Sequence, residues 1–198
     1  VVIAKPLTDF GGHGIIKITA SGASNTPPHS YLRKNGYLLE ECIENIDSIK
    51  RIAPESLNTV RIVTLIDKEN KLHILAALLR MGNGSAFTDN YHDGGMACAI
   101  DTATGTLRGR AFGMDCAEYE KHPLSGIRFD GYRIEQFEEC LELIRRIAFE
   151  EPRARYVGWD LAITPNGIEL LEGNIPPGED ITQISAGRGL WHEINKLI

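Results

Sequence analysis

The sequence predicts an α+β protein in two parts, a small β-rich lobe over residues 1–43 and a larger lobe over residues 44–198. Three observations lead there. The first forty residues hold only short β-branched runs between Pro- and Gly-containing loops, too few to bury a large core alone. From Asn58 onward, long alternating runs separated by turn-forming residues read as antiparallel strands and hairpins. One stretch alone has strong helical spacing: Ile134, Phe137, Leu141, Ile144 and Ala148, with acids and arginines between them.

In order, residues 1–5 form a strand stopped by Pro6, 7–14 a loop, and 15–19 a second strand. The Ser-, Asn- and Pro-rich stretch 21–28 is loop, and 37–43 is another apolar run. Residues 59–67 alternate, with Val60, Ile62, Thr64 and Ile66 on one face, and "DKENK" turns the chain into a strand over 72–81. Strands over 96–101 and 107–112 flank "TATGT", a hairpin. The helix follows and Pro152 stops it. Strands over 156–164 and 168–174 form the last hairpin.

The bulk properties narrow the function. The chain has 198 residues, 42% hydrophobic and 24% charged, which is ordinary globular composition. A net charge of -6 without a basic patch argues against nucleic acid as a partner. Cys42, Cys98, Cys116 and Cys140 lie far apart with no CxxC pairing, so they read as free thiols of a cytoplasmic protein that pack in the core. No apolar run approaches the roughly 18 residues of a membrane span, and no signal peptide is evident. The opening "VVIAKP" is strand-like from its first residue and lacks an initiator methionine. The expectation is a longer polypeptide with an upstream N-terminal region.

The last hairpin carries the strongest chemical signal. Its second strand, "GIELLEGN", places Glu172 and Asn174 two residues apart, although Glu and Asn are both depleted in strands. Residues at that spacing share a face. Pro165-Asn166-Gly167 suits a three-residue loop, a type I turn followed by a left-handed residue. That loop sets Thr164 opposite Ile168 and therefore Asp160 opposite Glu172, whereas a two-residue loop shifts the register by one and loses the pair. Opposed Cβ atoms lie about 4.5–5.5 Å apart, where like charges repel. A divalent cation between them removes the penalty, and oxygen donors suit Mg²⁺ or Mn²⁺ (magnesium or manganese) and not zinc. The competing reading makes Asp160 and Glu172 solvent-facing residues, opposite the apolar face of Val157, Trp159, Leu161 and Ile163.

Mg²⁺ commonly bridges protein carboxylates to phosphates, and the N-terminal stretch "AKPLTDFGGHGIIKI" offers a place for phosphates. Lys5 ends a strand, and a loop with Gly11, Gly12 and Gly14 lets backbone N–H groups curl around an anion. A plain hairpin turn is the alternative. No Walker A motif is present. "VIAK" and "DFG" occur in the wrong order relative to the glycines for a protein kinase.

Lys5 with "GGHG", then "YLLEECI", then "GWDLAI" and "GIELLEGNIPPG", in that order, resembles the ATP-grasp superfamily. "SLNTVRIVTL", "RMGNGSAFTDNYHDGG" and "HPLSGIRFDGYRIEQFEE" extend the likeness over nearly the whole chain. It is similar in particular to the sugar-transfer-associated ATP-grasp proteins, and more loosely to the glutamate ligases that modify ribosomal proteins. The resemblance implies ATP held between two α+β lobes with antiparallel sheets, the first acting as a lid. It assigns Lys5 to the α and β phosphates, and Gly11, Gly12, His13 and Gly14 to the β and γ phosphates. Glu40, Glu41 and Ile43 match the segment at the adenine edge, and Asp160, Glu172 and Asn174 match the Mg²⁺ ligands. Arg61, Arg80 and Asn90 stand where related ligases clamp phosphate and an acyl phosphate.

The sequence departs from that pattern in three places. Gly173 stands where an apolar residue is usual. Glu44 and Asp47 are the candidates for the ribose-binding acid, and a further lysine would precede Lys5 by some forty residues. Among the remaining residues, Arg61 alternates out of the apolar face of its strand and could be a solvated charge. Arg80 ends a buried run. His13 and His92 could be solvated loop residues.

The expectation is an ATP- and Mg²⁺-dependent carboxylate–amine ligase acting through an acyl phosphate, with a small-molecule carboxylate and an amine as substrates. The family association points to surface polysaccharide biosynthesis. A nucleotide-binding regulatory module and a phosphotransferase acting on a hydroxyl are the rival classes.

Overall fold

The computed structural model describes residues 1–8, 14–19, 27, 29–84, 94–114 and 116–198. Two units form, Val1–Ile43 and Glu44–Ile198.

In the first unit, β1 (Val2–Pro6) is the middle strand of an antiparallel three-stranded sheet. It lies between β2 (Ile16–Ile18) and β3 (Tyr37–Glu41). The short helix α1 (His29–Lys34) precedes β3, and Ala4 and Leu32 are the buried apolar residues of this unit. Pro6 is accommodated as the last residue of β1, opposite Tyr37, a terminal position where a missing N–H costs little.

The second unit is built on one antiparallel sheet. Its strands are β4 (Thr59–Ile66), β5 (Leu72–Met81), β6 (Met96–Asp101), β7 (Thr106–Gly113), β8 (Glu118–Tyr119), β9 (Tyr156–Thr164) and β10 (Gly167–Asn174). Their spatial order is β10-β9-β4-β5-β6-β7-β8. β4 and β9 are distant in sequence and adjacent in space, and β10 lies at the edge.

Both faces of the sheet centre are covered. On one side, Val60, Ile62, Leu79, Leu161 and Ile163 pack with Ile49 and Ile52. Phe137, Cys140, Leu141 and Ile144 of α3 (Phe137–Ile147) complete that core. The helix sets Glu138 and Glu139 in its first turn and Arg145 and Arg146 in its last, which suits the helix dipole. On the other side, Val63, Leu65 and Leu75 meet Leu190 and Ile194 at α5 (Trp191–Leu197), and Leu78 and Ala97 meet Ile181 of α4 (Glu179–Ala186). All eight residues of β4 are therefore buried. The sequence pattern suggested a single apolar face for this strand, because α4 and α5 are short and carry weak helical periodicity. Those two helices, α1 and α2 (Asp47–Lys50) were missed for the same reason.

The last hairpin differs at its turn. Gly167 pairs with Thr164, leaving Pro165-Asn166 as a two-residue loop, and Ile168 faces Ile163. The expected pairing of Thr164 with Ile168 does not form. Thr164 closes the turn instead: its hydroxyl donates to Gly167 O at 2.8 Å and accepts from the Asn166 N–H at 3.2 Å. A bulge between Leu170 and Glu172 then inserts one residue, and beyond it Glu172 faces Asp160. A bulge places two residues opposite one and resets the register by one. The pair expected from a three-residue loop is thus restored by Leu171.

No helix among the described residues is long and apolar enough to cross a membrane.

Candidate functional site

Four neighbouring strands place charged groups on one face of the second sheet. Glu172 on β10 faces Asp160 on β9, Asp160 faces Arg61 on β4, and Arg61 faces Leu78 on β5. Arg80 lies two residues beyond Leu78, on the same face, and reaches the same carboxylate.

Asp160 is 2% exposed and Arg61 7%. Arg61 donates from Nε to Asp160 Oδ1 and from Nη2 to Oδ2, both at 2.6 Å, and from Nη1 to the carbonyl of Pro177 at 2.9 Å. Arg80 Nη1 donates to Oδ2 at 2.7 Å. Burial acts to raise the Asp160 pKa. The Arg61 hydrogen bonds and the two guanidinium charges outweigh it and hold the carboxyl below the ordinary carboxylate range.

Asn174 completes the cluster. Its amide nitrogen lies 3.1 Å from Glu172 Oε1, 3.4 Å from Asp160 Oδ2 and 3.5 Å from Gly158 O. A half-turn of that amide presents its oxygen at the same place. Glu172 is exposed and makes no ion pair among the described residues.

The approach of the chain after β10 depends on Gly158. A Cβ there would lie 2.8 Å from Pro177 Cβ and 3.0 Å from its carbonyl oxygen. The bare glycine lets that turn close over β9, so that Pro177 O can accept from Arg61. Gly173, paired with Trp159, leaves room for the indole ring: an added Cβ would touch Trp159 and Val157 at 3.4 Å. The indole N–H donates to Thr64 Oγ1 at 2.9 Å.

In the first unit, the Lys5 ammonium pairs with Glu40 at 2.5 Å, with Lys5 42% exposed. Glu41 points to the other face of β3, as strand alternation requires. Gly14 has φ +72°, a conformation glycine adopts without steric cost. Gly11, Gly12, His13, Asn90 and His92 lie outside the described residues. Glu44 pairs with Lys50 at 2.5 Å, and Asp47 opens α2.

Sequence reasoning missed a buried chain of hydrogen bonds that holds the exit of β5, two residues past Arg80. His122 Nε2 meets Gly82 O at 2.8 Å, and its Nδ1 accepts from the N–H groups of Leu124 and Ser125 at 3.3 and 3.4 Å. The Gly82 N–H donates to Ser56 Oγ, which donates to Asn58 Oδ1 at 2.7 Å. Nothing local in the sequence marks these partners, since 40 residues separate His122 from Gly82.

The residues present fit a magnesium ion. Two carboxylates and a carboxamide are hard oxygen donors on one face, and Glu172 has charge to offer. Among the described residues, no three His, Cys, Asp or Glu side chains group to hold a metal. Magnesium commonly takes one or two protein carboxylates and draws other ligands from water and phosphate.

An α+β chain of antiparallel sheets with this cluster has the build of an ATP-grasp protein. The chain matches the sugar-transfer associated ATP-grasp family over residues 21–197 and belongs to it. Membership brings ATP binding and ATP-dependent, ligase-type chemistry in a sugar-transfer setting. No curated protein matches the chain.

Proposed function

We propose that the protein is a carboxylate–amine ligase that activates its carboxylate substrate as an acyl phosphate, in the making of surface polysaccharide. The observation that carries this reading is the row Glu172–Asp160–Arg61 with Arg80 and Asn174 beside it. It sets two guanidinium groups and three hard oxygen donors in one place, as a reaction that moves negative charge between phosphate oxygens requires.

Asp160, Glu172 and Asn174 would hold magnesium. When bound, the ion supplies positive charge against phosphate oxygens. Arg61 keeps Asp160 ionised and oriented, and Arg80 offers positive charge to an incoming anion. In the first unit, Lys5 and the glycines ending at Gly14 would contact the triphosphate, and the backbone of residues 40–43 the adenine.

The chemistry needs no nucleophilic side chain. A substrate carboxylate oxygen attacks the γ-phosphorus of ATP and ADP leaves. An amine then attacks the acyl carbon, the C–O bond to phosphate breaks, and the amine proton passes to solvent. A sugar acid and an amino acid are the proposed substrates.

Phosphorus NMR of the protein with ATP, Mg²⁺, uronic acids and amino acids tests this. ADP and inorganic phosphate are expected, together with a new amide. Pyrophosphate, or phosphate esterified to a hydroxyl, would refute it.

A further inference from the structure

The sheet of the first unit has two unlike faces. Ala4 on β1 is completely buried, and strand alternation puts its neighbours Ile3 and Lys5 on the opposite, open face. The ladder extends that open face to both sides. Ile3 lies opposite Lys17 on β2 and Glu40 on β3, and Lys5 lies opposite Leu38. Lys17 and Leu38 are exposed, while Ile3, Lys5 and Glu40 are half-buried.

Charge on this face has a direction. Glu40 pairs with Lys5 at 2.5 Å, whereas Lys17 makes no ion pair among the described residues. Two lysines against one glutamate leave a unit of positive charge, and it sits on β2, an edge strand. Toward β3 the same face is apolar and acidic, with Ile3, Leu38 and Glu40. A nucleotide has the matching polarity: anionic phosphates at one end, and at the other a flat base whose edge carries N–H donors. Laid across the strands, it turns its phosphates toward β2 and its base toward β3. Lys17 stands at the phosphate end of that axis. It is diagonal to Lys5 on the adjacent strand, where such Cβ atoms lie about 7–8 Å apart, and both ammonium groups ride on flexible stems.

From this arrangement we infer that Lys17 contacts the terminal phosphate of ATP, outward of the phosphates held by Lys5. This rests on the nucleotide reading above and adds to it a residue and an orientation. A lysine on an edge strand also discourages pairing with a second sheet. That role leaves nucleotide affinity untouched, so binding separates the two.

The test is titration calorimetry of the unaltered protein and Lys17→Met with ATP, ADP and adenosine, each in the presence of Mg²⁺. Lys17→Met should bind ATP about tenfold or more weakly, as the loss of a charged hydrogen-bond donor predicts. It should bind ADP and adenosine as the unaltered protein does. Lys17→Arg, which keeps the charge, should recover most of the ATP affinity. Lys5→Met should instead weaken ATP and ADP together. Equal ATP affinity in Lys17→Met and the unaltered protein would overturn the inference and leave Lys17 an edge charge. An equal loss for ATP and ADP, with adenosine unaffected, would put Lys17 on an inner phosphate and refute the assignment to the terminal one. Parallel losses for all three ligands would make its role structural. If the unaltered protein binds no ATP, the nucleotide reading itself fails and the inference falls with it.

Discussion

Arg61 and Asp160 face each other across β4 and β9, and Arg61 holds both carboxylate oxygens at 2.6 Å. Both side chains are nearly inaccessible. Removing one partner leaves a buried charge with fewer bonds to satisfy it, and that is costly. Arg61→Met should lower the unfolding free energy by about 3 kcal/mol, as measured by urea denaturation. A loss under about 1 kcal/mol would mean that Arg80 alone satisfies the carboxylate.

Glu172 behaves differently because it is exposed and lies on the edge strand. Glu172→Gln keeps the volume and removes one ligand charge. Unfolding stability should stay within about 0.5 kcal/mol, while Mn²⁺ binding in the presence of ATP falls about tenfold or more. Equal Mn²⁺ affinity in both proteins would remove Glu172 from the ligand set.

Gly158 permits the turn at Pro177 to approach β9. An alanine there puts its Cβ 2.8 Å from Pro177 Cβ, so backbone must shift. Gly158→Ala should cost about 1–3 kcal/mol of stability. It should also weaken nucleotide-linked Mn²⁺ binding, since Arg61 loses its anchor on Pro177 O. A melting temperature equal to that of the unaltered protein would show that the turn yields freely.

Lys5 pairs with Glu40 where both side chains are substantially open to water. Such pairs contribute about 0–1 kcal/mol, so Lys5→Met should leave unfolding nearly unchanged. If Lys5 contacts phosphate, the same variant should bind ATP much more weakly and adenosine equally well. Parallel losses for the two ligands would make its role structural.

Burial pushes the Cys98 and Cys140 thiols up to about 12, from an ordinary 9.0. A raised folded pKa means that stability is fully present below the unfolded value and is lost as pH rises toward the folded one. Thermal stability should therefore begin to fall above pH 9. At pH 8, iodoacetamide should modify the exposed Cys116 and spare Cys98 and Cys140 until denaturant is added. Labelling of Cys98 in the native protein would contradict its burial.

The helix α3 and most strands were legible in the sequence, because alternation and helical spacing are local patterns that burial of one face imposes. Ile134, Phe137, Leu141, Ile144 and Ala148 are all buried, as their spacing required. The opposition of Asp160 to Glu172 was legible too, though by a different route. The turn chemistry suggested a three-residue loop, and the chain instead forms a two-residue loop and corrects the register with a bulge at Leu171. Such a bulge leaves little trace in sequence, since it depends on how β10 twists against β9.

The sequence by itself determined the family, most of the segments that become strands, and which carboxylate and carboxamide residues stand on β9 and β10. Only the tertiary structure decided that β4 lies beside β9, bringing Arg61 to Asp160 across 99 residues of chain. It also decided that α4 and α5 cover the second face of the sheet, so that an arginine alternating away from one core is buried against another. The reason is that alternation records which side of a strand a residue takes, while strand order and the covering of each face follow from packing among distant segments.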